Sequence, residues 1–437
     1  MRKGGKTMGR KVLALFMTVS LIILTGCKSE MPKKTVRLLT WGYESSRYQG
    51  LEDAIRRYNA AASDEQYTLE IQNYTDSSWN WNEYMEIFEK YQPDMMIVNS
   101  DHLGEMVQKG YLEPIDEIVE QPIFQENYFS PLVPSIQCEG QSWGLLIDSD
   151  VNMVFWNRDV LAALGFSEED LTAFPEWVRS GRITLQDLTA LAKQAIQNNL
   201  CTYGVLHRPA PGNYFSAMAE VFGALQIKAD GAVAFSEETM IEMLSFFKAS
   251  ADMCNEELPN NWSDYNEAFI NGRAAVVFGA CWTLYDAIVE KGADAKQLEE
   301  KYIPTLIPAV RQGESPFTVS NSMMITLRKE SEHKEALKKI LAKAYSDWEV
   351  HAVHAAETYH MPVASTAVNS LAFQENQFLV DNMYMLDYTF FVPNHQDVVM
   401  WYQALYQAVK SVENGSGSEK EVANTFAQDF CEKNADE

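Results

Sequence analysis

Aromatic rings and carboxylates recur in this sequence at the ends of short apolar or β-branched runs. Trp41, Tyr43 and Glu44 follow the run at 35–40 (TVRLLT), Asp76 follows 67–71 (YTLEI), and Asn99 and Asp101 follow 93–98 (PDMMIV). Flat rings offer apolar faces to C–H groups, and carboxylates or carboxamides satisfy hydroxyls. The same set suits an ammonium group, held by ring faces and acidic oxygens. Asp148 and Asp150 stand two apart on a segment that reads as extended, so both project to one side and reach a common partner. An Asp at a strand end also caps the helix that follows, a competing role for Asp76 and Asp101 above all.

Covalent chemistry has less support. The sequence holds no G-x-S-x-G, H-E-x-x-H or phosphate-binding glycine loop. His351, His354 and Glu357 recur at i, i+3 and i+6 and share one face of a helix, but no zinc-type spacing accompanies them, so no metal and no cofactor are expected. Two carboxylates are the minimum for glycoside hydrolysis. Nothing in the sequence marks a particular pair, and an exported glycoside hydrolase stands as an alternative to simple binding.

The elements that position these groups alternate. A strand at 35–40 precedes helical spacing at Leu51, Ala54, Ile55 and Tyr58; a strand at 67–71 precedes a helix over 81–90; a third strand covers 93–98. Strand, helix, strand, helix, strand argues for a parallel sheet with crossover helices. Ligands of such sheets bind at the carboxyl ends of the strands, where the residues named above fall.

Bulk properties narrow the function further. The 437 residues carry 35 basic against 61 acidic side chains, a formal charge of -26, which repels phosphate backbones and argues against nucleic-acid partners. With 46% hydrophobic and 22% charged residues the chain is packed rather than disordered, and its length suits two lobes. Arg2, Lys3, Lys6, Arg10 and Lys11 precede an uncharged run over 12–24, shorter than the roughly 20 residues of a membrane span. Leu24-Thr25-Gly26-Cys27 then looks like a bacterial lipobox, giving a lipoprotein signal peptide at 1–26, lipid on Cys27, and a charged tether over 27–34. The other cysteines, Cys138, Cys201, Cys254, Cys281 and Cys431, specify no disulfide by spacing.

Further along, 109–116 (KGYLEPID), 140–145 (GQSWGL), 155–161 (FWNRDVL) and, most specifically, 266–286 (NEAFINGRAAVVFGACWTLYD) occur in an order that resembles the extracellular solute-binding proteins of family one, receptors of sugar-type ABC importers of the maltose-binding type. Gly279-Ala280-Cys281-Trp282 keeps the tryptophan of the family's turn and lacks its proline. The resemblance implies an α/β, two-lobe periplasmic-binding-protein-like (type II) fold with a hinged cleft. Lobe one is expected at 35–147 and 276–319 and lobe two at 148–275 and 320–437, with hinges near 148–151, 274–276 and 320–321. It adds Tyr214, Trp282, Asn321 and Trp401 as ligand-facing residues and aligns Asp150 with a sugar-binding acid. The implied protein is a monomeric, non-enzymatic receptor anchored on the extracytoplasmic face of the cell membrane. It would capture a mono- or oligosaccharide and deliver it to the transmembrane subunits of an ABC permease. A cationic or amino-bearing solute is the alternative ligand.

Overall fold

The computed structural model describes residues 33–42, 44–61, 65–75, 80–228 and 231–428. The expected signal peptide, Cys27, Tyr43 and Asp76 lie outside the described residues. Strand β1 (Lys33–Trp41) leads into helix α1 (Ser46–Ala61), β2 (Gln66–Tyr74), α2 (Trp81–Tyr91) and β3 (Met95–Asn99), the alternation expected from the sequence. Lys33 and Lys34, expected in the tether, belong instead to β1, where they pair with Gln66 and Tyr67.

Beyond β3 the chain forms β4 (Gly144–Ser149), β5 (Asn152–Asn157), β6 (Tyr203–Leu206), α3 (Trp262–Ile270), β7 (Ala274–Ala280), α4 (Thr283–Lys291) and β8 (Tyr302–Thr305). Then follow β9 (Thr318–Val319), β10 (Ser322–Leu327), α5 (Lys334–Tyr345), α6 (Trp348–Thr358), β11 (Thr389–Phe390) and α7 (Val398–Glu413). Every residue of β4, β5, β7 and β10 is buried, as in sheets covered on both faces, where alternation gives way to continuous apolar runs.

Two sheets result. The first has the order β2-β1-β3-β10-β4, with β10 antiparallel to both its neighbours; the second has the order β8-β5-β7-β6. This pairing corrects the expected lobe boundaries. Strand β7, placed in lobe one from the sequence, pairs antiparallel with β5 (Val276 opposite Trp156) and parallel with β6, so it is an interior strand of the second sheet. A hinge at 274–276 is therefore wrong as well, since those residues sit inside the ladder. Conversely, β10 closes the first sheet between β3 and β4, and α5 and α6 pack on α1, with the Tyr345 hydroxyl donating to the Arg47 carbonyl at 3.1 Å. Residues 322–358 thus belong with lobe one.

The chain passes between the sheets at two tight places. β4 ends at Ser149 and β5 begins at Asn152, leaving two connecting residues; β9 ends at Val319 and β10 begins at Ser322, leaving two more. Beside them Ser149 and Met361 exchange N–H···O bonds of 3.0 and 2.7 Å. Helix α7 returns to the second lobe, where Tyr406 packs on Phe215 and donates to the Pro209 carbonyl at 2.7 Å. Among the described residues, no helix is long and apolar enough to cross a membrane.

Candidate functional site

The site is built around the two crossings. The carboxylate of Asp150, in the first, accepts from the backbone N–H of Asn321, in the second, at 2.5 Å, and from Trp282 Nε1 at 3.1 Å. The Asp150 N–H returns a bond to the Asn321 carbonyl at 2.8 Å. Trp282 is placed by the turn between β7 and α4. Gly279 lets that turn close, since a Cβ there would meet Thr283 Oγ1 at 2.7 Å, and that hydroxyl accepts from the Ala280 N–H.

Arg208 supplies a cation that the sequence reading missed. Its guanidinium lies 5.2 Å from the Trp282 ring centre and 5.5 Å from that of Trp262, and Nη1 donates to Asn152 Oδ1 at 2.7 Å. The two tryptophans meet edge to face at 5.7 Å. Around this group stand Asp101, Asp150 and Asp286. Burial pushes the Asp150 carboxyl up to about 7, with the Asp101 charge adding to it, while the Trp282 N–H, Arg208 and the Asn321 N–H act in the opposite direction. Asp101 rises to about 6 by burial, against bonds from Asn321 and Tyr402. Asp286 rises to about 8 through burial and the neighbouring Glu290 and Glu44.

Of the residues expected from the sequence, Asp101, Asp150, Trp282 and Asn321 come together here. Asn99 ends β3 one residue before Ser100, whose hydroxyl donates to Asn321 Oδ1 at 2.7 Å. Trp41 and Glu44 stand on the lobe-one side and contact Arg47, which lies 5.3 Å from the Trp41 ring centre and pairs with Glu44 at 3.2 Å. Asp148 does not share partners with Asp150. It is buried and accepts from His354 Nε2 at 2.8 Å and Arg47 Nε at 3.3 Å. Burial alone would raise its carboxyl, but His360, Arg47 and His354 outweigh that and hold it well below the usual carboxylate range. A register shift between Met323 and Met324 disturbs the simple alternation assumed for residues 148 and 150.

Tyr214 and Trp401 require correction. Tyr214 is 1% exposed, bonds His207 Nδ1 at 2.8 Å and packs on Phe278, in the core of the second lobe. Trp401 is also 1% exposed and stacks on His395. The next residue, Tyr402, reaches Asp101 instead. The sequence did carry a signal for Arg208, which opens a Pro- and Gly-containing loop at the carboxyl end of β6. Trp262 and Asp286 gave none beyond residue type.

Residues 53–377 match the family described as bacterial extracellular solute-binding protein. The chain belongs to this family. A maltotriose-binding protein of Pyrococcus abyssi is 22% identical over 291 residues, a match spanning 63% of this chain and 56% of that relative's length. Among solved structures, this solute-binding protein is similar to the GacH receptor of Streptomyces glaucescens, whose structures include a complex with acarbose (TM-score 0.72, 13% identity, 91% of this chain and 98% of that one). It is similar also to the sugar-binding protein MalE of Xanthomonas citri (TM-score 0.72, 17% identity, 92% and 98%). Maltose-bound MalE3 of T. maritima aligns at a TM-score of 0.70 with 14% identity over 90% and 98%. These likenesses establish the two-lobe α/β fold of periplasmic binding proteins.

Proposed function

We propose that this protein is a lipid-anchored receptor that captures a carbohydrate between its lobes and hands it to an ABC permease, with Cys27 as the anchoring residue. The observation that carries the reading is the group of Asp150, Asn321, Trp282, Trp262 and Arg208 where the chain crosses between sheets. Indole faces next to carboxylates, a carboxamide and a guanidinium suit the alternating C–H and hydroxyl surfaces of sugar rings. The ligands of three relatives, maltotriose, maltose and acarbose, support a sugar of more than one ring. Closure of the lobes on the ligand would give the permease a form distinct from the empty one. Calorimetric titration of the exported chain with a panel of mono- and oligosaccharides tests this; failure to bind any of them would overturn the ligand class.

An amino-bearing solute is the second reading. It is favoured by one observation, the clustering of three acids, Asp101, Asp150 and Asp286, around the guanidinium of Arg208, which lies against Trp262 and Trp282. Three acids facing one guanidinium leave an excess of acidic oxygens, and these with the two indole faces suit an ammonium group. Steep weakening of binding with salt identifies a charged ligand, and a flat response identifies a neutral sugar. The hydrolase alternative gains nothing from the structure, because both oxygens of Asp150 are engaged by Trp282 and Asn321.

A further inference from the structure

Behind the cleft, three metal-ligating side chains meet. Asp148 is the penultimate residue of β4, His354 lies in α6, and His360 follows that helix. One ligand atom from each lies within 4.8 Å of the others, and the three residues are 2%, 1% and 6% exposed. The trio differs from the spacing noted in the sequence. His351 turns both ring nitrogens to the carbonyls of Ile147 and Tyr345, and His360 replaces it.

The hydrogen bonds behind the imidazoles orient them as metal ligands are oriented. Thr358 Oγ1 donates to the His354 carbonyl at 2.7 Å, so toward His360 Nδ1, 3.0 Å away, the hydroxyl acts as acceptor. His360 therefore carries its proton on Nδ1 and its lone pair on Nε2. His354 Nδ1 lies 2.7 Å from Ser46 Oγ, a partner able to donate or accept, so Nε2 can exchange its proton for an ion while Nδ1 takes the proton toward Ser46. The two rings stack nearly parallel, 15° apart, with centres at 5.9 Å. Arg47 shares Asp148, but it also holds Glu44 through Nη1 at 3.2 Å and Nη2 at 3.3 Å, and stays paired when Asp148 turns to a cation.

We propose that Asp148, His354 and His360 form a zinc site. Two imidazoles and a carboxylate are a common zinc set, with a fourth position for water; tetrahedral bonds of about 2.0–2.2 Å set ligand atoms about 3.4 Å apart, so the His354–Asp148 pair at 2.8 Å opens slightly and atoms up to 4.8 Å apart draw together. Calcium and magnesium are disfavoured by the two nitrogens. The ion braces the crossing, since Ser149 follows one ligand and Met361 follows another, and these two residues pair with each other. Binding at Nε2 moves the ring proton of His354 to Nδ1, where Ser46 Oγ accepts it, so the imidazole ligates in its neutral form.

The test uses the purified exported chain, stripped with a chelator and titrated with zinc alone by calorimetry and with cobalt(II) by visible absorption. One ion per chain is expected, with the strong visible bands of four-coordinate cobalt. His360→Gln should abolish stoichiometric uptake, Ser46→Ala should weaken it about 10–100-fold through loss of the orienting bond, and His395→Gln, at a part-buried histidine beside Asp397 and Trp401, should leave it unchanged. Failure of the wild type to take up zinc, or uptake that survives His360→Gln or vanishes in His395→Gln, overturns the assignment. Should His360→Gln not fold, Thr358→Val decides: a loss of about 10–100-fold supports the site and an unchanged affinity removes it. None of these readouts depends on the solute bound in the cleft.

Discussion

Trp282 donates its indole N–H to Asp150 at 3.1 Å, tying the end of β7 to the two-residue link between the sheets. Sheet two thereby contributes both a ring face and a hydrogen-bond donor at the place where the chain leaves sheet one. In Trp282→Phe the face survives and the donor is lost. The Asp150 carboxyl then titrates above its value of about 7, because a bond that favours the charged form has gone. Carboxyl carbon shifts followed by NMR across pH measure this, and sugar affinity should fall less in Trp282→Phe than in Trp282→Ala.

Asp150 also gives the ligand-free protein a pH dependence of known sign. Its folded value is raised above the ordinary carboxylate range, so the fold favours the protonated form. The stabilising contribution is complete below about pH 4 and is lost as pH rises through about 7. Asp101 and Asp286 act in the same direction. Melting temperatures from pH 5 to 8 should therefore decline less in Asp150→Asn than in the wild type.

Arg208→Ala removes the cation shared by the three acids. Solute affinity should drop by about tenfold, as expected when one partner of a part-buried charged contact is truncated. If the solute is an ammonium compound, the same change should strengthen binding instead. Calorimetry of this one variant separates the two readings.

Trp401→Ala and Tyr214→Phe test the residues that the fold withdraws from the cleft. The first deletes a ring that is 1% exposed and should cost about 3–5 kcal/mol of stability. The second leaves His207 Nδ1 without its partner, at about 1–3 kcal/mol. Denaturant melts should register both, while solute affinity stays within about twofold.

Much of lobe one was legible because its strands and helices are local and periodic. The runs at 35–40, 67–71 and 93–98 became β1, β2 and β3, with β2 running on to Tyr74. What failed was pairing over long separations. Nothing local in 274–280 says that its partners are β5 and β6, and nothing local in 322–327 says that it inserts between β3 and β4. Tyr214 and Trp401 failed for a related reason: residue type suggests a platform, but only the packed helices decide which side of an aromatic sees solvent. Arg208 and the Asp148, His354 and His360 trio depend on residues brought together from separate elements, and periodicity is silent about them.

Two residues of backbone reach about 7 Å at full extension. With Asp150 and Val151 in one link and Ser320 and Asn321 in the other, bonded side by side, the two halves have little slack in which to drift apart; relative motion is a swivel about that pair of links. Asp150 sits practically on the axle and travels little, whereas side chains at the outer rims sweep the largest arcs. Contacts at the axle can therefore greet a guest in either posture, and only those near the rims tell an outside observer which posture the molecule has taken.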